Sequence, residues 1–462
     1  MTPNQGASHF LGLKYRMPAT PSTPVGNAEG RTDAPCERLI TTTEAYGRFV
    51  PHAFLNLLGI TDIRKVELGH QVERKMTILF ADIRDFTSLS ESMSPQENFN
   101  FLNSYLVQME PVIAAHGGFI DKYIGDAIMA LFPDSPDAAL RCSLAMLEQL
   151  EEYNGGRQRA GYRPIKIGIG INTGIVILGT VGGAPRMDVT VIGDAVNLAA
   201  RLERLTKEYR VSILISEYTL YCLDQPSVWS IRFIDRTHVR GKQDTQSVYE
   251  VFSGDPAPLR EAKTKALKAF EQALAHFHLD DIVTARERLI AYLATAPDDD
   301  AAQVYLERCE TGSRNLANPQ TELASSWRKE YSIGQAAVDG SHQDLLEDMN
   351  ALVRAVNVGA WDLTPPLLAQ IQFAAGRDFM IEEQMMLQNE YPFLDLHIRQ
   401  HQRFFEYFTE LRREIERGEE DRVYLAFRVR RLLTDWLDNH ILSADRHYLH
   451  FLDSRRQTLT HL

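Results

Sequence analysis

The sequence predicts a multidomain chain in which a mixed α/β domain is followed by helices alone. Three observations lead there. The chain has 462 residues, too many for a single hydrophobic core. Strand and helix signals alternate from about residue 74 to 252. From about residue 258 onward the pattern is purely helical. Alternation with short turns predicts an α/β sandwich with a partly antiparallel sheet. Residues 322–456 read as four or five helices with no strand signal, the pattern of a bundle.

The elements follow in order. Residues 1–37 are rich in Pro, Thr, Gly and Ala, a disordered composition. A helical lead-in covers 38–70, with "EAYGRFVPHAFLNLL" at its centre. In the domain at 71–254, "MTILF", "AIMALF", "PIKIGIGIN", "IVILGTV", "VSILIS" and "QSVYEVF" read as strands. "SPQENFNFLNSYLVQMEPVIAAHGG" and "DAALRCSLAMLEQLEEYNG" read as helices that end at Gly. A helical linker covers 255–320. Within it "REAKTKALKAFEQALAHF" and "DIVTARERLIAYLATAP" form a helix pair resembling one tetratricopeptide-like unit, with Pro297 as the stop. "CETGSRNLANPQTE" connects it to a last domain at 321–458.

Composition narrows the function classes. A formal net charge of -13 argues against nucleic acid as the main partner. Cys36, Cys142, Cys222 and Cys309 are scattered and form no C-x-x-C pair, which suits unpaired thiols in a reducing compartment. No apolar run approaches a membrane span, and no signal-peptide core is visible. The expectation is a cytoplasmic protein without a membrane partner.

The stretch "MTILFADIRDFTSLSE" carries the first chemistry. An apolar strand runs into Asp82 and Asp85. A second strand signal is preceded by "FIDKYIGD", which ends in Asp126. Carboxylates at the ends of adjacent strands can hold two divalent ions, and oxygen ligands select Mg²⁺ or Mn²⁺. Spacing alone favours Asp82 and Asp126 as turn residues, and allows Asp85 to cap a helix or face solvent. Ser88 and Glu91 fit a capping box whose free N–H groups make a phosphate cradle. Phe86 and Thr87, in the same turn, are substrate-binding candidates. Asn197 and Arg201 are i and i+4 on one helical face. "GIGINTG" is not a dinucleotide fingerprint, because its glycines are spaced G-x-G-x-x-x-G and strand follows. It reads as strand and hairpin.

Four motifs in order, "FADIRDFT", "GGFIDKYIGDAIMALF", "GIGINTGIVILGTVG" and "DVTVIGDAVNLAARLE", resemble the class III adenylate and guanylate cyclase domain over about residues 70–252. The resemblance implies an α+β ferredoxin-like (βαββαβ) core. It implies that Asp82 and Asp126 bind two Mg²⁺ or Mn²⁺ per site. Lys122 and Thr190 would select the purine, favouring ATP over GTP, since guanylate cyclases usually carry Glu and Cys there. Asn197 would orient the ribose, Arg201 would stabilise charge on the α-phosphate, and Arg240, with Lys242 as the alternative, would bind the triphosphate. The family's active site is shared between two chains, so a homodimer with two equivalent sites follows.

The last domain carries a second constellation. His342, His397, His401, His440, Glu382 and Asp445 are spread over its helical signals. Histidines and carboxylates facing into a bundle are how di-iron sites are built. Taken singly, each reads as an ordinary histidine, and His447 and His450 stay so. His440 and Asp445 are five apart, about 140° off one face of an ideal α-helix. From Trp327 to about Leu452, "WRKEYSIGQAAVDGSHQDLLEDMNAL", "EEQMM", "YPFLDLHIRQHQRFF" and "WLDNHILSADRHY" resemble the bacterial hemerythrin-like domain, a four-helix bundle. The resemblance implies non-heme di-iron, with His342, His397, His401 and His440 as terminal ligands and Glu382 and Asp445 as bridges. It departs at "DFMIEE", where Asp378 stands in place of a fifth histidine. An Asp ligand favours ferric iron or admits manganese.

Together these predict an adenylate cyclase controlled by a domain sensing O₂, another small redox ligand, or iron. Control would act through a population shift between dimer arrangements, with the helix pair as coupling element. The alternatives are a guanylate cyclase and a non-enzymatic oxygen or iron binder. A diguanylate cyclase is disfavoured by the absence of a GGDEF-like run.

Overall fold

A computed structural model of the chain describes residues 52–60, 62–183, 186–238, 245–312, 326–332, 334–418 and 421–460. The expected disordered N-terminus, residues 38–51 of the lead-in, Cys36, Arg240 and Lys242 lie outside the described residues.

The first domain is built on eight strands: β1 (Gln71–Ile83), β2 (Phe119–Ile124), β3 (Ala127–Phe132), β4 (Ile167–Gly183), β5 (Arg186–Ile192), β6 (Ile213–Ser216), β7 (Ile231–His238) and β8 (Thr245–Val251). The order across the sheet is β2-β3-β1-β4-β6-β8-β7, with β5 paired to β4 off that path. Only β4–β6 is parallel among the described pairs. Helices α1 (His52–Leu57), α2 (Phe86–Glu91), α3 (Pro95–Ala115), α4 (Pro136–Arg159), α5 (Asp194–Glu208) and α6 (Glu217–Cys222) belong to the same domain. The run β1–α3–β2–β3–α4–β4 is the expected βαββαβ arrangement.

Strand β1 reads as continuously apolar because both its faces are covered. Leu79, Ala81 and Ile83 enter one core with α3 and α4, while Met76, Ile78 and Phe80 enter another that includes Phe54 of α1. The glycines of "GIGINTG" serve close packing. A Cβ at Gly170 would lie 2.1 Å from the backbone nitrogen of Glu203, and one at Gly174 would lie 2.7 Å from Ala195 Cβ. Glycine on one face of β4 thus lets α5 lie directly on the strand.

Several local expectations are corrected. "PIKIGIGIN" and "IVILGTV" form one strand, β4, because Gly174 continues it without a turn. Strands β2, β5 and β7 were not among the expected strands; polar residues break up their apolar runs. Helix α4 continues through Gly155 and Gly156 to Arg159. Ser88 and Glu91 lie inside α2 and form no capping box, since that helix already starts at Phe86. The box sits at Ser94 and Glu97, where the Glu97 carboxylate accepts from the Ser94 N–H at 2.8 Å.

Among its described residues the linker holds four helices rather than a pair: α7 (Ala257–Lys265), α8 (Leu267–His278), α9 (Ile282–Leu293) and α10 (Asp300–Thr311). The break at Ala266 divides the first expected helix, and α10 runs through the start of the expected connector. Buried charges pin these helices to the sheet edge. Arg232 of β7, fully buried, pairs with Glu250 of β8 and Asp299 before α10, both at 2.5 Å. Lys263 of α7 joins Glu250 at 2.8 Å. Charges this deep persist only when each finds a partner.

The C-terminal region comprises α11 (Ala336–Val358), α12 (Thr364–Gln388), α13 (Leu394–Arg417), α14 (Arg422–Asp435), a π-helical stretch (Trp436–Asp445) and α15 (Arg446–Thr460). Helices α11 to α14 share a core that includes Leu345, Val353, Ile371, Phe408 and Val429. This region also touches the first domain directly. Ser247 of β8 donates to Asp435 at 2.8 Å, and Arg236 of β7 pairs with Asp435 at 3.3 Å. His276 of α8 meets Asp421, the cap of α14, at 3.0 Å. Cys142, Cys222 and Cys309 are buried and unpaired. Among the described residues no helix is long and apolar enough to cross a membrane.

Candidate functional sites

The first site sits at one end of β1. Ala81 pairs with Ile128, which places Asp82 and Asp126 at the same end of neighbouring strands. Gly125, at φ +68°, makes the hairpin turn that delivers Asp126. Oδ1 of Asp82 and Oδ2 of Asp126 are buried and have no hydrogen-bond partner. Burial, and then the adjacent Asp126 carboxyl, pushes Asp82 up to about 7. Two carboxylates crowded together without cations are unfavourable, and a divalent ion between them removes that cost. The residues therefore fit Mg²⁺ or Mn²⁺. Glu203 of α5 stands near the same end, pushed up to about 6 mainly by burial. Spacing gave no hint of Glu203, because α5 is brought there by the glycines of β4.

Lys122 of β2 and Thr190 of β5, sixty-eight residues apart, meet at 3.3 Å. Lys122 also pairs with Asp121 at 3.3 Å. Asn197 is exposed and Arg201 half-buried on α5. Phe86 packs against Phe101, and Thr87 is exposed in the first turn of α2. Asp85 faces solvent and pairs with Lys207 at 2.8 Å.

The second site lies within the C-terminal helices. Glu382 of α12 is its hub. Its Oε1 meets His342 Nε2 of α11 at 2.7 Å. Its Oε2 faces His397 at 3.4 Å and His401 at 3.1 Å from α13, and His440 at 3.4 Å. Burial would raise Glu382, yet hydrogen bonds from all four histidines hold it well below the usual range. Asp445 lies 3.5 Å from both His397 and His440 and 3.9 Å from His342. The π-helical stretch explains how residues five apart meet. A π turn closes i to i+5, so His440 and Asp445 share a face that an α-helix would deny them. Both oxygens of Asp378 and of Asp445 are buried without hydrogen-bond partners. Burial, and then neighbouring carboxylates, raises both groups, Asp378 to about 7.

Six predicted ligands thus converge, and Asp378 joins them at 3.4 Å from His342. The ligand atoms of Glu382, His397, His401 and His440 lie within 4.8 Å of one another, as do those of His342, Glu382 and Asp445. Orphaned carboxylate oxygens among convergent imidazoles fit transition-metal ions. Two supporting residues escaped sequence reasoning. Glu383 accepts from His401 Nδ1 at 2.6 Å, and Gln400 meets His440 Nδ1 at 3.1 Å. Each turns Nε2 of its histidine toward the centre. Their only signal is adjacency to Glu382 and His401. A cavity of about 300 Å³ lies between this region and the first domain, with His397 and Gln400 on one wall and Asn172, Thr173 and Asp194 on the other.

Residues 68–252 match the family model described as the adenylate and guanylate cyclase catalytic domain. The chain is 47% identical to an adenylate cyclase of Anabaena cylindrica over 220 residues, covering 46% of this chain and 44% of that protein. It is 33% identical to the terminal-differentiation-specific adenylate cyclase of Dictyostelium discoideum over 318 residues, covering 67% of this chain and 15% of that one. Among solved structures, a bacterial light-regulated adenylyl cyclase aligns at 29% identity and a TM-score of 0.41, covering 48% of this chain and 65% of that one. The chain thus spans less than half the length of these two curated relatives. Over residues 68–252 the chain is thus similar to adenylate and guanylate cyclase catalytic domains.

Proposed function

We propose that the chain is a homodimeric adenylate cyclase that converts ATP to 3′,5′-cyclic AMP and pyrophosphate, controlled by a hemerythrin-like metal centre in residues 321–458. The observation that carries the catalytic reading is the pair of orphaned carboxyl oxygens on Asp82 and Asp126 at adjacent strand ends. These two residues would hold Mg²⁺ or Mn²⁺. When bound, such ions acidify the ribose 3′-hydroxyl and neutralise charge on the phosphates.

The chain's own residues bind and orient. Adenine presents a ring-nitrogen acceptor beside an amino donor. The Lys122 ammonium supplies the donor and the Thr190 hydroxyl the acceptor. Guanine presents a ring N–H there, which would face the Lys122 donor unpaired. Asn197 would hold the ribose, and Arg201 would meet the charge on the α-phosphate. Neither side chain has a partner among the described residues, which leaves both available to a site shared with a second copy. Tyr123, Ile124, Ile177, Val181, Met187 and Ile192 are exposed apolar residues on β2, β4 and β5, a surface that a second copy would cover. Phe86 and Thr87 would contact substrate from the turn after Asp82. In the reaction the 3′-oxygen bonds to the α-phosphorus as the bond from that phosphorus to the bridging oxygen breaks. Pyrophosphate leaves with the electron pair, and the hydroxyl proton passes to solvent.

Control by the metal centre is supported by buried polar contacts, joined through the backbone of residues 216–217, that lead from the π-helical stretch to α5. The π-helical stretch that carries His440 and Asp445 begins one residue after Asp435. The Asp435 carboxyl adjoins Glu217 of α6, which burial and then Asp435 push well up. Ser216, the cap of α6, donates to Asn172 Oδ1 at 2.5 Å. Asn172 donates to the Ala195 carbonyl, in the first turn of α5, at 2.9 Å. Asn197 and Arg201 lie further along α5. Movement of the π-helical stretch would reach them through side-chain contacts, with the helices at 257–311 as a second, parallel support.

The test is cyclic nucleotide production by the full-length chain, given ATP or GTP with Mn²⁺. Iron-loaded protein in air is compared with dithionite-reduced protein. Cyclic AMP at a redox-dependent rate is expected. Faster turnover of GTP would replace the substrate. No product from either nucleotide would leave a binding protein, and equal rates in both redox states would remove the sensor.

A further inference from the structure

Resting on the reading of residues 321–458 as a two-metal centre, we propose that its two positions are chemically unlike and that the centre is mixed: iron in an imidazole-rich position, manganese in a carboxylate-rich one. The division is visible in which oxygens face which nitrogens. Glu382 splits its carboxylate, with Oε1 toward His342 at 2.7 Å and Oε2 toward His397, His401 and His440 at 3.1 to 3.4 Å. Asp445 repeats the split. Its Oδ1 faces His397 and His440 at 3.5 Å, and its Oδ2 faces His342 at 3.9 Å. Each carboxylate thus offers one oxygen to each side, as a bridge between two ions must.

What remains on each side differs. One side has three imidazole nitrogens. The other has His342 alone, and Asp378 beside it, Oδ2 at 3.4 Å from His342 Nε2. Asp378 is 1% exposed, and neither of its oxygens has a hydrogen-bond partner. A carboxylate that deep, with no hydrogen-bond donor and only the His342 imidazole within ion-pair distance, is suited to ligate a cation. The first position is therefore three imidazoles with two bridging oxygens. The second is one imidazole with three carboxylates.

Ligand type then sorts the metals. Imidazole suits iron and the later divalent ions, whereas carboxylate suits manganese. Each imidazole replaced by a carboxylate weakens the advantage iron has over manganese, and the second position has lost it at Asp378. The supporting shell agrees: Glu383 and Gln400 orient His401 and His440 of the first position, while Nδ1 of His342 has no partner.

The test is metal analysis of the full-length chain, loaded without oxygen from Fe²⁺ and a large excess of Mn²⁺, which offsets the general preference for iron, and then desalted. The chain carries Asp126→Asn, so that manganese at the catalytic carboxylates does not enter the count. About one iron and about one manganese per chain are expected, with a spin-coupled Fe–Mn signal in electron paramagnetic resonance after oxidation. Asp378→His should convert the content to iron alone. Asp378→Asn should keep the iron and lose the manganese. Two irons per chain before substitution, or an iron-to-manganese ratio that Asp378→His leaves unchanged, would overturn the mixed centre while leaving a metal centre in place. No bound metal at all would overturn both.

Discussion

The two sites solve the problem of clustered carboxylates in opposite ways. At the end of β1, Asp82 and Asp126 stand together with no hydrogen-bond partner for their inward oxygens, at a half-buried edge. Burial, and then the adjacent carboxyl, raises Asp82 to about 7. In the C-terminal helices, Glu382 is more deeply buried, yet four histidines hold its carboxylate well below the usual range. The difference lies in the scaffold. Strand ends and a hairpin leave one side open, so substrate and ions can enter and leave. Four helices and a π-helical stretch close round the second cluster, so what binds there is held. An open pair suits turnover, and an enclosed one suits retention and sensing.

Substitutions can break that contrast, and the largest effect belongs to the open site. Asp126→Asn should lower cyclic AMP formation by more than about a hundredfold, the scale of losing a group that stabilises developing charge. Metal content of the C-terminal region, by elemental analysis, should not change. At the enclosed site Glu382→Gln should weaken metal binding by more than about a hundredfold, since the hub of both positions is lost. Glu383→Gln removes, among the described residues, the hydrogen bond to His401 and should cost about 10- to 100-fold, the range for an outer partner. Equal losses in the two variants, by metal titration, would mean that Glu382 is no hub. Gly170→Ala should destabilise the catalytic domain by about 1–3 kcal/mol in denaturant unfolding, because its methyl meets the backbone of α5. The smallest effect is on coupling. Asp435→Asn should leave both sites assembled but bring the ratio of rates in the oxidised and reduced states toward one, from the roughly 5- to 150-fold that a typical coupling energy gives. An unchanged ratio would exclude the route through Asp435.

Legibility differed between the two regions for a physical reason. Motif order singled out Asp82 and Asp126, which the fold brings to one end of neighbouring strands, and Lys122 and Thr190, which it brings into contact, while Asn197 and Arg201 lie further along α5. Ser88 and Glu91 misled because the capping pattern occurs twice in ten residues and only the second, at Ser94, begins a helix. His440 and Asp445 could not be paired from α-helical periodicity. Nothing in "WLDNHILSAD" announces a π turn, which arises when the helix accommodates one extra residue while its ends stay packed. The linker helices were legible as helices but not as part of the sheet's core. Arg232 and Asp299 are 67 residues apart, and no local pattern joins them.

By itself the sequence determined the division into a mixed domain and a helical remainder, the strands and helices with strong periodicity, and the residue types available for each site. These follow from local propensity and from the period of apolar positions. Tertiary structure alone decided that the glycines of β4 seat α5, that Lys122 meets Thr190, that Glu382 and Asp445 each divide their oxygens between two sides, and that Asp435 ties the π-helical stretch to the sheet. Each of these is a contact between residues far apart in the chain. Such contacts depend on which faces are buried against each other, and a linear pattern shows only which faces need to be buried.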